Sequence, residues 1–239
     1  MAGPRSGLNR QCMLDPVAAY DRIAPSFARL SEERRAYLDA VERLVVSAIP
    51  TGSRSLLDIG AGDGVRALRI AQAAGLKEIV LIEPSAEMRK SWPAGVTAWA
   101  LRAEDLHAQL GRFDAITCLW NVLGHIFPAS ARCEMLRQCA RLLAPGGRIF
   151  IDVSHRYNAR HYGWLPTAWR FLRGASRDVV VTWKPEGVST VGHVFTGREF
   201  AGLCRAAGVT IERRFVVDYA TGAVRRWSFE GHLLYVLQL

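Results

Sequence analysis

The chain has 239 residues, half of them apolar, and carries a formal charge of +9. That length suits one large domain, or one domain with an insertion, and can bury a sizeable core. No apolar run approaches the roughly 18 residues of a membrane span, and "MAGPRSGLNRQCMLD" lacks the apolar centre of a secretory signal. The cysteines at 12, 118, 133, 139 and 204 are odd in number and form no CxxC pair, which argues against a disulfide or metal framework and for a reducing cytoplasm. The positive charge is mostly arginine and is dispersed. It fits either a solvated surface or attraction to an anion.

In chain order, residues 1–14 read as a tail. Asp15 to Leu30 and Ser31 to Ile49 read as two helices, the second capped by Ser31 with acids in its first turn. Pro50 and Gly52 end that pair. "SLLDI" then reads as a strand, followed by a helix from Val65 to Ala74. "EIVLIE", "VTAWAL", "FDAITCLW" and "RIFIDV" are further strands, with a helix before "APGG". Apolar strands alternating with helices predict a parallel sheet covered on both faces.

The rhythm breaks over residues 154–192, read as an insertion near the carboxyl ends of the strands, where open α/β sheets hold ligands. A helix at "TGREFAGLCRAAG" follows, capped by Thr196 and ended by Gly208, with His193 ordering its entry. Strands at about 210–217 and 227–239 close the chain.

"SLLDIGAGDGV" sets Gly60, Gly62 and Gly64 between a strand and a helix. Glycines there turn the backbone sharply and let a ligand approach the peptide groups. The spacing is GxGxG, not the dinucleotide GxGxxG. Asp58 and Asp63 would repel a pyrophosphate but attract the ammonium of a methionine moiety, so the charges favour S-adenosylmethionine over NAD.

With this stretch the chain resembles the class I S-adenosylmethionine-dependent methyltransferases over roughly residues 20–239. "IVLIEPS", "RAEDL", "FDAITCLWNVLGHI" and "LLAPGG"–"RIFIDV" fall in that family's order. The resemblance implies a doubly wound, Rossmann-like α/β sheet of seven strands, mostly parallel with the last antiparallel. It also implies an N-terminal helical lid and a substrate-covering insertion after the fifth strand, all within one domain, 15–239.

The same resemblance assigns the cofactor site to Asp58, Gly60, Ala61, Gly62, Asp63, Gly64, Glu83, Pro84, Met88, Ala103, Glu104, Leu119 and Trp120. Glu83 would hold the ribose hydroxyls, and Ala103 with Glu104 would read adenine. Arg102 stands where many relatives have Asp.

Methyl transfer asks mainly for alignment and exclusion of water. "LWNVLGHI" resembles the loop of glycine and sarcosine N-methyltransferases. Asn121 would orient an acceptor and His125 would serve as base or hydrogen-bond partner. Tyr20, in "AAYDRIAPSF", would sit near the sulfonium. Each of the three also has a structural reading, as cap or packing residue. His155, Arg156, Tyr157 and Arg160 are candidates for the acceptor pocket, where arginine could grip an anion.

The expected partner is thus a small-molecule acceptor, an anionic one if these arginines bind it. Nitrogen is favoured over oxygen, and no metal, membrane or nucleic-acid partner is expected. The expected state is a monomer or homodimer. An RNA methyltransferase lacks support from an Asn/Asp-Pro-Pro-aromatic loop or a Pro-Cys pair. A non-catalytic protein on the same fold, or a cofactor-using enzyme that transfers no methyl, is the remaining alternative.

Overall fold

The structure, a computed structural model, describes residues 14–173, 178–183 and 186–239. The tail expected over 1–14 lies outside them, apart from Leu14. Among the described residues the order is α1 (Pro16–Ile23), α2 (Phe27–Glu32), α3 (Arg35–Ala48), β1 (Ser55–Ile59), α4 (Val65–Ala74), β2 (Glu78–Ile82), α5 (Ala86–Arg89), β3 (Thr97–Trp99), β4 (Phe113–Cys118), α6 (Ala129–Leu142) and β5 (Leu143–Val153). Then come α7 (Ala159–Tyr162), α8 (Trp164–Arg173), β6 (Asp178–Trp183), β7 (Val188–His193), α9 (Gly197–Ala207), β8 (Thr210–Val217), β9 (Val224–Arg225) and β10 (His232–Gln238).

The main sheet runs β3-β2-β1-β4-β5-β10-β8-β9. Its first five strands are parallel, and β10 lies antiparallel between β5 and β8. Strand β1 is buried along its whole length, as a central parallel strand covered on both faces must be. One apolar layer joins α3 and α4 to one face through Val41, Val45, Ala67 and Ile70. The other joins α6 and α9 to the opposite face through Met135, Leu136, Phe200 and Cys204. Strand order reverses between β1 and β4, so the crevice opens above their carboxyl ends.

The sheet has eight strands rather than the seven expected. Gly222, at φ +69°, turns the chain after β8, and Val224 and Arg225 return to pair with Val217 and Val216. The last strand starts at His232 because Ser228–Glu230 forms a 3₁₀ turn. The N-terminal helices are divided differently too. Asp15 caps the first, its carboxylate accepting from the Val17 N–H at 3.1 Å, and the helix that Ser31 was expected to cap starts instead at Arg35. Pro25 lies in a 3₁₀ turn that breaks the predicted long helix, and Ser31 falls inside α2. Thr196 does cap α9, accepting from the Glu199 N–H at 3.1 Å, and Gly208 ends it in the left-handed region. The insertion forms α7, α8 and a separate β6–β7 hairpin. The Leu14 N–H donates to the Ser189 carbonyl at 3.0 Å, and Thr190 Oγ1 donates to the Leu14 carbonyl at 2.8 Å. Main-chain bonding thus ties the entry to α1 to β7.

Candidate active site

The glycine loop leaves β1 and enters α4 with Gly60, Gly62 and Gly64 all at positive φ. At Gly60 the need is also steric: a Cβ would stand 2.6 Å from a Val122 methyl. The loop is pinned from two sides. The Trp92 indole N–H donates to the Gly62 carbonyl at 2.8 Å. The Gly62 N–H donates to Glu83 Oε2 at 2.9 Å, and the Ser85 N–H donates to Oε1 at 2.8 Å. Burial raises the Glu83 carboxyl above its ordinary value. A carboxylate offers about four acceptor sites, so two of them remain for a ligand.

A cavity of about 240 Å³ runs along this loop. Gly60, Ala61, Gly62, Asp63, Glu83, Pro84, Ala103, Glu104, Leu119 and Trp120 line it, together with Tyr20 and His125. The remaining residues assigned to the cofactor sit elsewhere. Asp58 is buried beneath the loop, accepting from Thr117 Oγ1 at 2.6 Å. Gly64 has its Cβ position closed by Trp92 and Leu81. Met88 packs with Ala19, Ile23 and Leu30.

Sequence reasoning missed Phe27, Arg35, Arg66, Arg69 and Val122 in the same wall. Arg66 Nη2 donates to the Leu119 carbonyl at 3.2 Å. Arg102 lines the cavity as well and pairs with Asp15 at 3.2 Å.

A second cavity of about 120 Å³ adjoins the first. The two share Tyr20, Phe27, Trp120 and His125. Asn121, Tyr37, Asp152, Trp183, Tyr219 and His232 complete much of its lining, and only Asn121 among these was expected. Neither Lys nor Arg lines it among the described residues.

Trp120 and Asn121 stand at φ +63° and +60°, where side chains other than glycine are strained. Asp152, at the end of β5, holds this turn. Its Oδ1 accepts from the Asn121 N–H at 3.0 Å and its Oδ2 from the Tyr37 hydroxyl at 2.7 Å. Burial raises the Asp152 carboxyl. Asn121 adds two bonds of its own: Oδ1 accepts from the Ser154 N–H at 2.9 Å, and Nδ2 donates to the His193 carbonyl at 3.4 Å.

Tyr20 and His125 meet at the shared wall, with the hydroxyl 3.4 Å from Nε2. His125 Nδ1 lies 3.1 Å from the Val191 carbonyl, which can only accept, so Nδ1 carries the proton and Nε2 the lone pair. Burial lowers the imidazole below its ordinary range and keeps it neutral. Burial raises the Tyr20 phenol, which stays protonated.

The residues expected to grip an acceptor, His155, Arg156, Tyr157 and Arg160, line neither cavity. The His155 N–H donates to His232 Nδ1 at 3.0 Å. The Arg156 guanidinium lies over the Tyr157 ring at 5.6 Å, and Arg160 pairs with Asp218 at 2.8 Å. His193 Nε2 lies 2.8 Å from the Glu199 carboxylate at the start of α9.

The sequence matches the family described as "Methyltransferase domain" over residues 29–213. It is 31% identical over 172 residues to a ubiquinone biosynthesis O-methyltransferase from Ralstonia nicotianae, covering 69% of this chain and 66% of that protein. The chain thus spans just under two thirds of that relative's length.

Two solved structures share the fold. A glycopeptide N-methyltransferase complexed with S-adenosyl-L-methionine aligns with TM-score 0.61 at 14% identity, covering 84% of this chain and 93% of that one. The Burkholderia thailandensis 1,6-didemethyltoxoflavin-N1-methyltransferase aligns with TM-score 0.56 at 18% identity, covering 99% and 92%. The family match spans most of the chain, and it falls on a sheet whose glycine loop and strand-end acid frame a cavity of the right kind. This chain belongs to the methyltransferase-domain family.

Proposed function

We propose that the chain methylates a nitrogen of a small, uncharged acceptor seated in the second cavity, with oxygen as the next choice. The observation that carries this reading is the shared wall: Tyr20 and His125 border both cavities at once. A group held in one chamber meets a group held in the other across those two side chains.

The residues of the first cavity fit the cofactor. Glu83 has acceptor sites left for the two ribose hydroxyls, and Ala103 and Glu104 lie at the adenine end. Asp63 would face the methionine ammonium, and Arg66 its carboxylate. When bound, the cofactor supplies a methyl group already activated on a sulfonium sulfur. The protein's part is to exclude water and to align the acceptor. Tyr20, Phe27 and Trp120 wall the junction with rings, and Asp152 fixes the turn that carries Trp120.

His125 Nε2 is a neutral lone pair at the junction. It can take the proton that the acceptor N–H or O–H loses. Because no Lys or Arg among the described residues lines the second cavity and Asp152 does, an anion next to the methylated atom would be repelled there. The reading therefore departs from the anionic acceptor that the sequence suggested. The N-terminal α1 and the β6–β7 hairpin form the cover, through Tyr20 and Trp183. The names of the relatives, an O-methyltransferase and N-methyltransferases, support either acceptor atom.

The test has two stages. Calorimetric titration with S-adenosylmethionine, its demethylated product and NAD should give binding for the first two alone. Transfer of a labelled methyl group to panels of neutral heteroaromatic amines, phenols and benzoates should then favour the amines. Transfer restricted to the benzoates would sink the neutral-acceptor reading.

A further inference from the structure

Helix α8 turns its apolar face to solvent. At about 3.6 residues per turn, Trp164, Leu165, Ala168, Trp169, Phe171 and Leu172 share one arc of roughly 160°. Leu165 is 86% exposed, Leu172 78%, Phe171 70% and Trp164 62%. The buried residue of α8 is Thr167, which lies off that arc. Trp227 extends the patch: Phe229 lies 5.2 Å from the Trp164 ring and stacks on Trp227 at 6.2 Å. A contiguous apolar surface of this kind marks an interaction site, whereas scattered exposed leucines would not.

The charge around the patch identifies the partner. Arg173 lies 3.8 Å from the centre of the Trp169 ring and Arg226 5.1 Å from Trp227, whereas Arg170 lies opposite the arc, against the Tyr162 ring at 4.3 Å. Helix α8 carries no acid in its sequence. Beyond it, Glu230 faces its own turn, accepting from the Trp227 N–H at 3.3 Å.

An apolar arc flanked by arginines, with tryptophans at the border, is the pattern of a helix lying in a lipid headgroup layer. The rings suit the acyl boundary and the guanidiniums the phosphate level.

We infer that α8, with Trp227, is a surface-docking element for anionic phospholipid bilayers. Among the described residues no helix is long and apolar enough to cross a membrane. A helix lying in the plane of the bilayer needs no such length, so the sequence-based expectation of no membrane partner does not extend to it.

The experiment is vesicle flotation of the full chain, with phosphatidylcholine vesicles and with vesicles that also contain phosphatidylglycerol. The wild type should float with the anionic vesicles, less so as salt rises, and remain in solution with the neutral ones. Leu165→Glu with Leu172→Glu replaces two exposed side chains, so the fold and calorimetric binding of the demethylated cofactor should persist. Flotation should fall on the order of tenfold or more. A wild type that stays in solution with anionic vesicles overturns the inference. So does a wild type that sizes as a dimer and does not float, while the double variant sizes as a monomer, because the patch would then be an interface between copies.

Discussion

Replacing Asp152 by alanine tests whether the strained turn after β4 is held from β5. The substitution removes acceptors for the Tyr37 hydroxyl and the Asn121 N–H, at 2.7 and 3.0 Å. Hydrogen bonds to a charged group contribute about 1.5–3 kcal/mol each, so the loss is roughly 3–6 kcal/mol. Relief of a buried carboxylate, raised above its ordinary value by desolvation, offsets part of that loss. The expected net destabilisation is about 2–4 kcal/mol, read from urea unfolding. The second expected effect is local. Trp120 and Asn121, left with about 1–3 kcal/mol of backbone strain each and held only by the side-chain bonds of Asn121 to Ser154 and His193, should relax and move the Trp120 wall of the first cavity. Affinity for S-adenosylmethionine should therefore fall, by calorimetry, under conditions where the variant is still folded. Asp152→Asn should recover part of the stability. An alanine variant with wild-type unfolding midpoint and wild-type affinity would refute the reasoning.

Other measurements bear on the rest of the site. Glu83→Ala should weaken cofactor binding by roughly tenfold or more, since a carboxylate acceptor is lost to the ligand and the Gly62 N–H loses its partner; calorimetry reads this. His125→Gln should slow turnover while leaving cofactor affinity nearly unchanged, and unaltered turnover would make His125 a packing residue. The chain should also lose stability in acid. Burial lowers His155 to about 4 and His232 to about 3. The unfolded chain takes up protons first, near its ordinary value of about 6.5. Stability from both is therefore full above that value and drains as pH falls toward the folded values. The loss by about pH 5 is on the order of 2–4 kcal/mol in total, and urea midpoints measured across that range would reveal it. A flat profile would show that the cluster admits water.

The parallel half of the sheet, the glycine loop and the strand-end Glu83 were legible because each is local. An apolar run, a turn and an acid are all adjacent in sequence. The acceptor chamber was not legible, because Tyr37, Asp152, Trp183, Tyr219 and His232 come together from distant elements. One signal for Asp152 did exist. It ends an apolar strand in "RIFIDV" as Asp58 ends "SLLDI" and Glu83 ends "EIVLIE", and β5 adjoins β4 in the sheet. The arginines beside it in sequence drew attention instead, yet Arg160 turns away to Asp218. The β9 return was hidden in a two-residue pairing too short for any periodicity. Ser31 misled because a capping residue followed by acids also occurs within a helix, and Pro25 sets the earlier break.

The tie between Leu14 and β7 has a kinetic consequence. Two stretches separated by 176 residues of chain at Leu14 and Thr190 are joined by the Ser189 and Thr190 bonds, so neither can peel back without unzipping the other. Their amides should exchange with solvent as one cooperative unit, slower than fraying ends and faster than the central strands.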